Sequence, residues 1–129
     1  MNLHQKTFSI ITFSLALVTF FWWPLSHWLY SDIYHSLLGF SPGSYQESMV
    51  RMIGTCGILP VMVLMYLAFY PEKKWPLVFM FSIFSFLLGL TFMYLVCQRT
   101  FPSREYFNVF FSIGISIMFP YLYFLSDNT

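Results

Sequence analysis

Charge is what this sequence has least of. Six Lys and Arg and five Asp and Glu stand among 129 residues, so 9% of the chain is charged. A soluble domain carries about 25% charged residues. Too few remain here to cover a water-facing surface. Four stretches hold no Asp, Glu, Lys or Arg at all: 7–31, 52–71, 75–98 and 106–126, of 25, 20, 24 and 21 residues. A helix rises about 1.5 Å per residue, so roughly 20 apolar residues cross a hydrocarbon core of about 30 Å. The expected fold is an all-α membrane protein, a four-helix transmembrane bundle. It forms one domain over residues 1–129, in contact with the lipid bilayer.

Other absences narrow the function. Net charge is +1, so no basic face suits nucleic acid. H-E-x-x-H, G-x-S-x-G and the phosphate loop are all missing, and no catalytic residue is assigned. No carboxylate sits near the centre of a span, which disfavours a proton-coupled carrier of the small multidrug type. No histidine lies at mid-depth to pair across haem. His27, Asp32 and His35 lack the spacing of a metal-ligand set, so no metal and no cofactor is expected. A signal peptide needs a small-residue cleavage site and an apolar core of about 7–15 residues. Residues 8–23 are longer and lead through Trp22-Trp23 into Pro24-Leu25, so they read as a retained span. Asn2 follows the initiator methionine and the chain closes Ser126-Asp127-Asn128-Thr129. Neither end therefore carries a lipidation signal.

The apolar runs show no period-two alternation, which selects helices over barrel strands. Spans are expected at about 8–30, 49–70, 75–96 and 106–125. Pro60 and Pro120 fall inside spans two and four and should bend them. Trp22, Trp23, Trp28 and Tyr30 suit an aromatic belt. Residues 33–40 are apolar enough to lie on the bilayer surface. Pro71-Glu72-Lys73-Lys74 makes a polar turn. Lys6, Lys73 and Lys74 share one side of the membrane, while Arg51, Arg99 and Arg104 share the other. The N-terminal amine tips this balance towards both ends inside. A bacterial inner membrane fits.

Lipid offers no hydrophobic drive for helix association, so contacts need small and polar residues. Each span has a narrow stripe of them: Ser9, Thr12, Ala16 and Thr19; Glu47, Arg51, Gly54 and Thr55; Ser82, Ser85 and Gly89; Glu105, Asn108, Ser112 and Ser116. Two readings stay open, packing seams or a polar cavity between helices. In any four-span arrangement the first and third loops share one rim. That rim collects His27, Asp32, His35, Glu47, Arg51, Arg99, Arg104, Glu105 and Asn108. Arg51 and Glu47 stand four apart, the spacing of a helical ion pair. The alternative is that Arg51 holds an anionic group of a lipid or substrate. Arg51, Glu47, Glu105, Asn108 and Arg104 form the candidate binding set. Cys56 and Cys97 fall towards the same rim. They read as two buried reduced thiols, or as a redox pair.

The stretch from Glu47 to Tyr123 carries Arg51-Met52-Ile53-Gly54, then Ala68-Phe69-Tyr70-Pro71-Glu72, then Phe101-Pro102-Ser103-Arg104-Glu105-Tyr106-Phe107-Asn108. It resembles small four-helix membrane proteins of the BphX-like and DoxX-like group. That resemblance covers somewhat over half of the chain. It implies a four-helix bundle and, for DoxX-like relatives, an accessory role beside membrane oxidoreductases. It transfers no catalytic residue. The expected function is a non-enzymatic accessory subunit acting through helix and rim contacts with a membrane protein partner or as a homo-oligomer. The alternative is a small carrier or a lipid- or small-molecule-binding protein with its polar site on the loop-one and loop-three rim.

Overall fold

A computed structural model describes residues 3–43, 45–72 and 74–127. Lys73 of the polar turn and the terminal residues Asn2, Asn128 and Thr129 lie outside the described residues. The chain is an all-α integral membrane protein. Four helical spans, Leu3–Leu29, Glu47–Phe69, Trp75–Cys97 and Ser103–Asp127, are long and apolar enough to cross a bilayer.

Span one is not a uniform helix. Helix α1 (Leu3–Phe20) passes into a wide π-helical turn at Phe21–Leu25, then into α2 (Ser26–Leu29). Pro24 sits in the wide turn and has no N–H to donate. Nearby side chains serve the loosened carbonyls. Ser26 Oγ lies 2.5 Å from the Trp22 carbonyl and 3.0 Å from that of Trp23. His27 Nδ1 lies 2.7 Å from the Trp23 carbonyl. In lipid such freed groups must be satisfied within the protein.

Span two is also divided, into α4 (Glu47–Cys56) and α5 (Ile58–Phe69). The expected disturbance at Pro60 appears one turn earlier, at Gly57. Pro60 has no N–H to return to the Cys56 carbonyl, and Gly57 N–H is shared between the Ile53 and Gly54 carbonyls. Span three is one helix, α6 (Trp75–Cys97). In span four, α7 (Tyr106–Asp127) runs through Pro120 as one continuous helix.

The spans pair unequally. Spans three and four touch along their length, and so do α1 and α5, whereas α5 meets α6 only thinly. The seam between α6 and α7 is made by Ser82, Ser85 and Gly89 facing Ser112 and Ser116, all buried. A methyl at Gly89 would fall 2.7 Å from Ile113 Cγ1, so the seam closes only because nothing is there. Three of the four stripes thus face inward. On span two only Gly54 does. Glu47, Arg51 and Thr55 face out.

Packing is solid at one end of the bundle. Phe8, Leu64, Leu67, Val78, Phe81, Phe119 and Tyr123 form a buried cluster. Ring centroids lie 5.5 Å apart for Phe8 and Phe119, and 5.2 Å apart for Phe81 and Phe119. These residues come from the starts of spans one and three and the ends of spans two and four, which alternate direction. Tyr123 is fully buried, and its hydroxyl accepts the Lys74 N–H at 2.5 Å, tying the second loop to the last helix. The opposite end is hollow.

Candidate functional site

The first loop builds the roof of the hollow end. Residues Ser31–Leu38 form helix α3. This stretch, expected from its apolar residues to suit the bilayer surface, packs one of its faces on the bundle. Tyr34, His35 and Leu38 are buried against the bundle, while Ile33 and Leu37 face outward. The helix is amphipathic, and its inner face plugs the rim. It stops at Gly39, whose φ of 90° suits glycine, with Phe40 N–H bonded back to His35.

Beneath the roof lies a cavity of about 480 Å³. Its walls come from all four spans and the first loop. Trp22, Trp23 and His27 contribute from span one, Met49, Val50 and Ile53 from span two. Leu88, Thr91, Phe92 and Leu95 contribute from span three, Glu105, Asn108 and Phe111 from span four. Tyr34, His35, Phe40 and Tyr45 close the top. Gln46, Met49, Ile53, Thr91 and Thr100 line it and also face the exterior, so the chamber opens between spans two and three and up towards the loop rim. This volume lies within the range of small-molecule sites, roughly 300–1,000 Å³.

A polar network runs through the apolar wall. Trp22 Nε1 donates to Asn108 Oδ1 at 2.9 Å. This fixes the amide, whose Nδ2 then donates to Glu105 Oε2 at 2.5 Å and to Tyr34 Oη at 3.4 Å. One asparagine thereby joins spans one and four to the first loop. Glu105 is 2% exposed. Burial, reinforced by the negative charge of Glu105, pushes the Tyr34 hydroxyl above the usual phenol range. Tyr45 donates to Asp32 Oδ1 at 2.5 Å. That hydrogen bond favours the protonated phenol and carries its pKa up to about 12. The Tyr45 ring stacks on His35 with centroids 4.0 Å apart. His27 and His35 each place Nδ1 2.7 Å from the carbonyl four residues back, which orients both rings.

The candidate residues divide. Glu105 and Asn108 stand in the cavity wall, joined by His27 and His35. Arg51 and Glu47 do not line it. They pair with each other across one helical turn, Nη2 to Oε1 at 2.5 Å, with side chains 62% and 65% exposed. Such exposed pairs contribute little. Arg51→Ala should therefore change unfolding stability by no more than about 0.5 kcal/mol, checked by denaturation in mixed micelles. Arg104 points away from Glu105, and its Nη1 donates to the Leu37 carbonyl at 3.2 Å. This clips the third loop to the first. Cys56 and Cys97 are free thiols on the outer surface, not buried ones. Cys97 Sγ lies 3.9 Å from Tyr106 Oη. Among the described residues no cluster of three His, Cys, Asp or Glu could hold a metal ion.

Sequence reasoning missed Trp22 and Tyr34. Trp22, Trp23 and Trp28 are not only belt residues. Trp23 Nε1 donates to the Ile53 carbonyl at 3.1 Å and Trp28 Nε1 to Thr55 Oγ1 at 3.3 Å. For Tyr34 a signal existed. It and Leu38 stand four apart, which marks one buried helical face. No family model matches the chain, and neither a curated protein nor a solved structure matches it.

Proposed function

We propose that this protein binds a small amphiphilic molecule drawn from the bilayer, as the receptor or carrier component of its membrane. The observation that carries this reading is the cavity. It is apolar over most of its wall, it holds a buried polar network at one end, and part of its opening lies between spans two and three, a side that a membrane bundle turns to lipid. An apolar chamber with a few convergent polar groups is the usual build of a ligand site. A bundle evolved only for packing would gain by filling it, because empty volume forfeits dispersion contacts. We place the protein in a bacterial inner membrane with both ends inside. Lys6, Lys73 and Lys74 on one side balance Arg51, Arg99 and Arg104 on the other, and the N-terminal amine is the support that tips the count.

The test is native mass spectrometry of protein released gently from membranes. The wild-type chain should carry a bound small molecule. Thr91→Trp should lose it, because Thr91 lines the opening and, among the described residues, its hydroxyl bonds within its own helix, to Leu87. A bare wild-type chain, or an adduct retained in Thr91→Trp, would overturn the proposal. A stoichiometric protein companion without the adduct would favour the accessory role instead.

A further inference from the structure

Glu105 is buried almost completely in the cavity wall. The hydrogen-bond donor described for its side chain is the neutral amide of Asn108. Among the described residues no Lys, Arg or His nitrogen lies within 4.0 Å of it, the sole such ion pair being Arg51 with Glu47. The adjacent cation, Arg104, is turned to the Leu37 carbonyl. An ionised carboxylate in an apolar setting is costly unless a positive charge accompanies it. The protein's own described side chains do not supply one.

The rest of the wall suits a particular positive charge. Trp22, Trp23, Tyr34 and Tyr45 line the chamber. Their ring faces carry the negative lobe of the aromatic quadrupole, which attracts ammonium groups. Leu88, Phe92 and Leu95 offer an apolar bed on the side of the mouth. An anionic ligand would meet the carboxylate unfavourably. A neutral one would make no use of the charge that the carboxyl can carry.

Resting on the binding reading above, we infer that the occupant is a lipophilic organic cation: a tertiary or quaternary ammonium on an apolar body, with its nitrogen between Glu105 and the aromatic rings. A free amphiphilic amine and a choline-bearing lipid headgroup share this chemistry.

The inference is tested by calorimetric titration of the purified full chain in dodecyl maltoside micelles with three probes. These are benzyldimethyldodecylammonium, its uncharged isostere with carbon in place of nitrogen, and dodecylphosphocholine. The ammonium should bind at least about tenfold more tightly than the isostere. Glu105→Gln should abolish that preference and leave isostere binding in place. Dodecylphosphocholine binding as tightly as the ammonium identifies a phospholipid headgroup, and weaker binding identifies a free amine. Equal affinity of ammonium and isostere for the wild type overturns the cation inference and leaves the cavity a ligand site. So does an unchanged preference in Glu105→Gln. Failure of all three probes to bind overturns both. Should Glu105→Gln not fold, the wild-type comparison decides alone.

Discussion

Asn108→Leu should lower the unfolding free energy in mixed micelles by about 2–5 kcal/mol. The figure follows from what the amide joins. It accepts from Trp22 and donates to Glu105 and Tyr34. Hydrogen bonds between membrane helices average about 0.6 kcal/mol, so the contacts alone account for roughly 1–2 kcal/mol. The remainder comes from desertion. A buried acceptor left without its donor costs a further 1–3 kcal/mol or so, and more when charged. A second variant isolates that part. In Glu105→Leu/Asn108→Leu no carboxylate is left stranded, so the double variant should recover at least half of the single loss. The coupling between the two sites is then large and favourable. A loss below about 0.5 kcal/mol for Asn108→Leu would show that the network contributes nothing to holding the helices together.

Gly54→Ala should destabilise the bundle by about 1–3 kcal/mol, even though alanine is the better helix former by nearly 1 kcal/mol. A Cβ at Gly54 would stand 2.8 Å from His27 Cβ and 3.1 Å from Trp28 Cδ1. His27 Cβ is fixed to its backbone and cannot swing aside, so α2 and α4 must part. Gly114 supplies the control. Nothing lies within 4 Å of a Cβ built there. Gly114→Ala should therefore keep the propensity gain and stabilise by up to about 1 kcal/mol. The same substitution thus takes opposite signs at two positions. Both are read by the same micellar unfolding curves, and a stabilised Gly54→Ala would refute the close approach.

Much of this architecture was legible in the sequence. The spans were visible because charged residues are excluded from hydrocarbon, and that exclusion marks the ends as well as the middles. The stripes of spans one, three and four were visible because small residues at helical spacing have few other uses in lipid. Half of the hollow end could be anticipated. Glu105 and Asn108 share a helix face, and loop parity places His27 and His35 on the same rim. Glu47 and Arg51 misled because opposite charges four apart look alike in a binding site and on an outer surface. Only the direction of the helix face separates the two, and Val50 and Gly54 set it here. Trp22 could not be assigned, since its partner lies 86 residues away. Nothing in the spacing of apolar residues reports that one end of a bundle is hollow. That depends on how far apart two helix pairs settle.

The wide turn at Phe21–Leu25 has a consequence for how such a chain can change over time. A π-turn holds one residue more than an α-helix needs to cover the same height, and each residue advances the helix by about 100°. Everything beyond the turn is rotated by that amount, including Ser26, His27 and Trp28. A lineage that lost one codon between Phe20 and Ser26 would keep its four spans and its packed end. It would swing His27 off the chamber wall and Trp28 away from Thr55. Length at this single spot, more than the identity of any residue near it, sets which side chains the chamber receives from the first span.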